Sequence, residues 1–343
     1  MTAADRRALT GRRTSPKLAI VKSFALAIIL LLIAAPMKMP AQTQAATTPR
    51  NVTAKKVILD TDIGDDIDDA FALALLLSSP RVQLLGVTTA WGDTDLRARL
   101  VERFLQETGH SGIPIAAGPA THAASTFSQR RYAEGAADQH WPDGADFILD
   151  QIRRYPGEIT LISIAPFTTV GAAIEKDPAT FRKLKRVVIM GGSIHRGYGD
   201  LGYLPDHGPQ PEYNIYSDVH ASQALFGAGV PLYVMPLDST QLKLDEVLRG
   251  ILFSRGTRTT DALTLLYQQW SESTGYATPT LFDAMATAYV LDPSLCPTQP
   301  MHIRVDDRGD TLVEGGAPNA NVCLESDSDR FFHFYFRTVL GTH

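Results

Sequence analysis

Ten consecutive residues, Asp60-Thr61-Asp62-Ile63-Gly64-Asp65-Asp66-Ile67-Asp68-Asp69, carry six carboxylates and sit between two apolar runs. The run before them, Lys56–Asp60 (KVILD), reads as a short buried strand, and the run after them, Asp69–Leu77 (DAFALALLL), is apolar over helical length. The carboxylates are therefore crowded where a strand leaves a core and a helix enters it. Like charges in a confined site repel one another and resist ionisation. A bound cation removes that conflict, and an all-oxygen donor set without cysteine or histidine suits Ca²⁺ or Mg²⁺. Gly64 permits a sharp strand-to-helix turn. Asp66 and Asp69 are three residues apart and share one face of the first helical turn. Acidic capping of a helix N-terminus explains one or two carboxylates, not six. The run is not an EF-hand loop, because no Glu stands at the twelfth position. Asp60-Thr61-Asp62 superficially matches an Asp-x-Asp phosphatase, but Ile63-Gly64-Asp65 follows where such enzymes want Thr or Val.

Beyond this turn, strands and helices alternate. Val82–Thr88, Ile159–Ile164, Arg186–Met190 and Pro231–Met235 read as further strands. Helices are predicted over Leu96–Glu107, Asp218–Phe226, Leu242–Phe253, Thr259–Glu272 and Asp283–Leu291. The alternation predicts an α/β fold, a single large domain over residues 51–343 with a mostly parallel sheet flanked by helices. In such sheets ligands bind beyond the carboxyl ends of the strands. The Gly- and Pro-rich stretch Ser193–Glu212 reads as a long loop of the kind that carries function.

The net charge is −5 over 343 residues, which gives no basic surface for long nucleic acid. Cys296 and Cys323 form no Cys-x-x-Cys pair. A disulfide between them and two buried thiols both stay open. The N-terminus has a basic start (Arg6, Arg7, Arg12, Arg13, Lys17, Lys22), an uncharged apolar run Ser23–Met37, then small residues. This order predicts a signal peptide and linker over residues 1–50, hence a periplasmic or secreted protein. The apolar run is shorter than the roughly 18–20 residues of a spanning helix, so no stable membrane anchor is expected.

Seven blocks, in order from residue 56 to about 340, resemble the inosine–uridine preferring nucleoside hydrolase family. They are the acidic turn, Val87-Thr88-Thr89 with Trp91-Gly92-Asp93, Ala165-Pro166-Phe167-Thr168, and Val188-Ile189-Met190-Gly191-Gly192. Glu212-Tyr213-Asn214-Ile215, Pro236-Leu237-Asp238-Ser239-Thr240 and Phe282-Asp283-Ala284 complete the set. The resemblance implies an open Rossmann-like core, a small-molecule ribonucleoside substrate, a Ca²⁺ cofactor and a homo-oligomer. It implies that Asp62, one or both of the pair Asp68 and Asp69, the Thr168 carbonyl and Asp283 hold the ion, and that Glu212, Asn214 and Met190 hold the ribose. An aspartate beside the ion is implied as general base. Direct spacing points to Asp66, and helical phase points to Asp68. The cluster is two residues longer than the family's usual form, and Asp93 replaces a usual Asn. Phe282 stands where many members carry a His that protonates the departing base.

With that acid absent, a loop histidine, His140 or His207, and stacking on Trp141 or on Phe282 itself are the candidates for leaving-group assistance; His140 and Trp141, neighbours in one polar loop, are the favoured pair. The expected reaction is hydrolysis of an N-riboside through an oxocarbenium-like sugar. A water is activated beside the ion and an aspartate accepts its proton. Two other readings stay open: a secreted nucleoside-binding protein without turnover, and a metal-dependent phosphatase.

Overall fold

The computed structural model describes residues 54–122, 126–136, 139–201 and 207–341. The expected signal peptide and linker, residues 1–50, lie outside these residues. Nine strands form one sheet: β1 (Lys55–Thr61), β2 (Val82–Thr89), β3 (Ile115–Ala117), β4 (Thr160–Ser163), β5 (Arg186–Met190), β6 (Leu232–Met235), β7 (Thr298–Val305), β8 (Thr311–Glu314) and β9 (Ala320–Cys323). Their order across the sheet is β3-β2-β1-β4-β5-β6-β9-β7-β8. All pairings from β3 across to β9 are parallel, and β7 pairs antiparallel with both β9 and β8. The fold is thus α/β with a large mixed sheet, parallel over most of its width.

β1 is apolar on both faces because both faces are covered. Val57 and Leu59 pack into the core on one side of the sheet and Ile58 into the core on the other. From β1 the chain winds outward through β2 to β3, then returns to lay β4 on the opposite flank of β1. The winding direction reverses between β1 and β4, which opens a crevice at their carboxyl ends.

Two helices fill that side of the core. The helix α1 (Asp68–Leu77) packs along the helix Phe282–Leu291. In α1 every residue from Asp68 to Leu76 is buried, and in its partner every residue from Asp283 to Leu291 is. Neither has a polar face, so each belongs inside a large core. The helix α2 (Thr94–Thr108) follows β2 and is amphipathic, with Asp93 as its N-cap accepting from Leu96 N at 3.0 Å. Among the described residues no helix is long and apolar enough to cross a membrane. Cys296 and Cys323 are joined in a disulfide, with their Cα atoms 5.6 Å apart.

The expected elements are present with small shifts, except that the predicted helix Leu242–Phe253 begins only at Glu246. Asp245 caps it through Leu248 N at 2.9 Å, and Leu242 to Asp245 form an irregular approach. The hairpin β7–β8 and its return through β9 are additions to the sequence-based expectation.

Candidate active site

The acidic turn leaves β1 at the crevice, and its shape is held from behind. Gly64 has φ +126°, a conformation that favours glycine, and a Cβ there would overlap the Phe127 ring. Arg97 of α2 is 1% exposed. It grips Asp65 with two hydrogen bonds of 3.1 and 2.9 Å and donates to the carbonyls of Asp62, Ile63 and Trp91. One buried guanidinium thus fixes the path of four residues, 62 to 65, and supplies a counter-charge behind the cluster. Trp91 adopts φ 64°, the only positive φ outside glycine among the described residues. Its indole nitrogen donates to the Tyr213 hydroxyl at 3.0 Å, which ties the end of β2 to the far wall of the crevice.

α1 and the helix Phe282–Leu291 begin side by side. Asp283 N donates to Asp68 Oδ2 at 3.2 Å. Carboxylate oxygens of Asp68, Asp69 and Asp283 lie within 4.8 Å of one another, and all three residues are buried. The partial positive ends of two buried helices face these carboxylates. That is too little compensation for three charges. Burial, reinforced by the neighbouring carboxylates, raises the pKa of all three well above the ordinary aspartate range. Asp62 is raised to about 7, by burial and against the pull of Arg97. Beneath the cluster, Asp60 accepts from Thr88 and Ser163 at 2.7 and 2.9 Å, and burial lifts it to about 6 in spite of these bonds. Such a group of hard oxygens, short of positive charge and close enough to share one ion, fits a divalent cation.

These residues line a cavity of about 300 Å³. Asp62, Asp65, Asp66, Asp68, Asp69 and Asp283 form one side, with Ile164 and Met190 at the ends of β4 and β5. Glu212, Tyr213, Asn214, Tyr198 and Phe282 form the other. Glu212 caps the short helix Tyr213–Ser217. Its carboxylate accepts from Asn214 N, Gly192 N and Ile215 N at 3.0, 3.0 and 3.2 Å, and from the Tyr198 hydroxyl at 3.5 Å. Burial nonetheless raises it to about 7. Asn214 Nδ2 donates to the Met190 carbonyl at 3.1 Å. The Tyr198 contact is the longest of the four on Glu212, so that is the place an incoming hydroxyl can take.

The structure therefore brings Asp62, Asp66, Asp68, Asp69, Asp283, Met190, Glu212 and Asn214 to one cavity. Five sequence-predicted residues are not among its lining. Thr168 opens the helix Thr168–Lys176 and is buried outside the cavity lining, in which Ile164, directly after β4, is found. Asp93 is exposed and caps α2. Trp141 is buried in the core beside a separate pocket lined by Leu105 and Ile115. His140 and His207 are exposed. The Trp141 indole packs in the core with Leu105 of α2 and Ile115 of β3, which is why the loop of His140 and Trp141 is not part of the cavity wall. Tyr198, Ile164 and the Arg97–Asp65 pair were not anticipated. Only Tyr198 left a trace in the sequence, lying in the Gly- and Pro-rich loop.

A doubly wound sheet with a carboxylate-lined cavity at its switch point, facing a buried Glu–Asn pair, defines a hydrolase-like metal site on an open α/β core. The model of the inosine-uridine preferring nucleoside hydrolase family matches residues 57–333, and the chain belongs to that family of N-ribohydrolases. It is 27% identical over 324 residues to an Escherichia coli pyrimidine-specific ribonucleoside hydrolase, covering 84% of this chain and 97% of that protein. It is 26% identical over 291 residues to uridine nucleosidase 1 of Arabidopsis thaliana, covering 78% and 84%. An uncharacterised Schizosaccharomyces pombe protein is 34% identical over 200 residues, 54% of this chain and 62% of its own length. In fold, the chain is similar to a plant nucleoside hydrolase, with TM-score 0.70 and 24% identity over 83% of this chain and 99% of that one. An inosine-uridine preferring nucleoside hydrolase from Bacillus anthracis gives TM-score 0.69 and 22% identity, covering 83% and 99%.

Proposed function

We infer that this chain hydrolyses the N-glycosidic bond of ribonucleosides to ribose and free base, with Ca²⁺ as cofactor. The observation that carries this is the set of three buried carboxylates within 4.8 Å, across a 300 Å³ cavity from Glu212 and Asn214. Asp68, Asp69 and Asp283 would hold the ion, with Asp62 beside them. Bound there, such a cation orients a water, lowers its pKa and holds the ribose diol.

The remaining work falls to side chains. Asn214 and Glu212 bind ribose hydroxyls, and the surrounding carboxylates stabilise positive charge on the sugar. Polar groups built for a 2′-hydroxyl go unpaired against a deoxyriboside, so ribosides are preferred. One cavity aspartate takes the water's proton. Asp68 suits this better than Asp66, which is exposed and already accepts from Ile67 N at 2.7 Å. Asp62 is a third candidate, lining the cavity just outside the tightest group.

The test is ribose release from a nucleoside panel with Ca²⁺ and with chelator, alongside ion binding by calorimetry. Asp283→Ala is expected to lose ion binding and activity together while staying folded. Among Asp62→Asn, Asp66→Asn and Asp68→Asn, the base variant is the one whose kcat falls about 10²–10⁴-fold when assayed at saturating Ca²⁺. Full activity after thorough chelation excludes the reading. Ion and nucleoside binding with no ribose released would support the binding-protein alternative, for which the aromatic Phe282 beside Asp283 speaks. We further propose export to the periplasm or exterior with cleavage inside residues 1–50, so that the exported chain starts near residues 42–47. The basic–apolar–small order of the N-terminus and the Cys296–Cys323 bond support it.

A further inference from the structure

We propose that Trp91 is a positioning residue for the reaction, a crossbar that fixes the Glu212–Asn214 wall of the cavity at its working distance from the carboxylate wall. The inference deepens the ribonucleoside hydrolase reading and rests on it. Trp91 is half-buried and does not line the cavity. It acts through residues that do.

The backbone gives the first sign. Trp91 and Gly92 have successive positive φ values, 64° and 67°. Such a run is ordinarily carried by Asn-Gly, Asp-Gly or Gly-Gly. A bulky residue in the left-handed region persists only where its surroundings over-determine it, and such outliers gather at functional sites. Here three hydrogen bonds hold the turn. Arg97 Nε donates to the Trp91 carbonyl at 2.7 Å, and Gly92 N donates to Thr121 Oγ1 at 2.7 Å. The third is the indole N–H on the Tyr213 hydroxyl at 3.0 Å.

The two ends of Trp91 reach different walls. Its carbonyl is held by the guanidinium that also bonds Asp65 and the carbonyls of Asp62 and Ile63, so this end is fixed to the acidic turn. Its indole is bonded to Tyr213, which lines the cavity between Glu212 and Asn214 in the sequence. Tyr213 is pressed from the far side. Its ring meets Tyr216 edge to face, with centroids 5.6 Å apart at 84°. Behind Tyr216 stands the tip of the β7–β8 hairpin, where Gly309 comes so close that a Cβ would overlap Tyr216. The short helix Tyr213–Ser217 is thus clamped between the hairpin and the indole. Glu212 caps that helix and Asn214 lies in its first turn. A displacement of Tyr213 therefore moves both groups that bind ribose hydroxyls, and leaves the ion ligands in place.

The experiment measures kcat and KM for uridine and inosine, and Ca²⁺ affinity by calorimetry, in the full chain and its variants. Trp91→Phe keeps a ring and loses the indole N–H, and Tyr213→Phe removes the acceptor alone. Each is expected to raise KM about tenfold for both nucleosides with kcat within about threefold, because ribose contacts are made in the ground state and the transition state alike. Ca²⁺ affinity is expected to stay at the wild-type value. The double variant is expected to be no worse than either single one, since all three lack the same bond. Loss of Tm without the shared rise in KM marks a merely structural residue and overturns the crossbar. Additive losses overturn it as well, because Tyr213 then meets the substrate independently of Trp91. Should Trp91→Phe fail to fold, Trp91→Gly, unstrained at this φ, takes its place: a rise in KM of at least the same size supports the crossbar, and wild-type KM overturns it. Turnover by the wild type with unchanged variants leaves ribonucleoside hydrolysis standing, whereas no ribose from the wild type overturns both.

Discussion

Single side chains hold this site in two different ways. Asp68, Asp69 and Asp283 can be read from chemistry alone, since a core keeps three carboxylates together only where protons or a cation offset their charge. Arg97 is different, because nothing in its sequence surroundings sets it apart from Arg99 or Arg103 on the same helix. Its role comes from a long-range meeting, 32 residues from Asp65 along the chain. That meeting gives a sharp expectation. Replacing Arg97 by Met removes the guanidinium that pairs with Asp65 and the donor to three main-chain carbonyls. Breaking a buried ion pair from one side costs about 3–5 kcal/mol, and urea unfolding in chelator is expected to show a loss of that size. Arg97→Lys is expected to recover less than half of it, since an ammonium cannot reproduce the two-pronged bond to Asp65 or reach Trp91 O at the same time. Wild-type stability in Arg97→Met would mean that the turn is shaped by Gly64 and its neighbours without the clamp.

At the scale of elements, reducing the disulfide is the cleanest perturbation. Cys296 follows the buried helix Phe282–Leu291 and its 3₁₀ extension Pro293–Leu295, and Cys323 ends β9. The bond therefore links the helix that carries Asp283 to the sheet, across a separation of 27 residues. Closing a loop of that length is worth about 3–4 kcal/mol through the unfolded chain. Cys296→Ser with Cys323→Ser is expected to unfold at correspondingly lower urea, with ion affinity preserved because Asp283 sits at the opposite end of its helix; unchanged stability would contradict this. The elements themselves show what a sequence discloses. β1, β4, β5 and β6, together with α1 and Phe282–Leu291, are short apolar stretches bounded by polar turns, and their period and length mark them. β7, β8 and β9 have no such mark. The segment TQPMHIRV alternates exposed with buried residues only near its end, and Pro300 argues against a strand interior. Its pairing is decided by the sheet it joins. The same logic separates the site residues. Those at strand ends and helix starts were legible because topology fixes where such ends go. Trp141 and His140 were misplaced because a polar loop gives no sign of which way it folds, and Trp141 turned into the core.

Across the whole molecule the acids, the ion and the fold are linked through protons. Glu212 shows the sign. Its folded pKa is raised from 4.5 to about 7 by burial. Between those values the folded chain binds more protons than the unfolded one, so the derivative of unfolding free energy with pH is negative. The stability is fully present below the unfolded pKa and is lost as pH rises through about 7. The buried cluster at the switch point shifts in the same direction. Without an ion, then, stability is expected to fall as pH rises from about 5 to about 8. A divalent cation reverses this, because it binds the deprotonated carboxylates and its affinity climbs as they lose protons. Ligand binding to the folded state alone adds RT ln(1 + [L]/Kd), about 2.7 kcal/mol at a hundredfold excess over Kd. The Tm difference between excess Ca²⁺ and chelator is therefore expected to be small near about pH 5 and to widen steadily toward about pH 8. Proton release on ion binding, measured by calorimetry in two buffers of different ionisation enthalpy, is expected to shrink over the same range. A Ca²⁺ effect on Tm that is flat with pH, or greatest in acid, would show that the buried carboxylates are not the ligands, and the assignment of Asp68, Asp69 and Asp283 would fall with it.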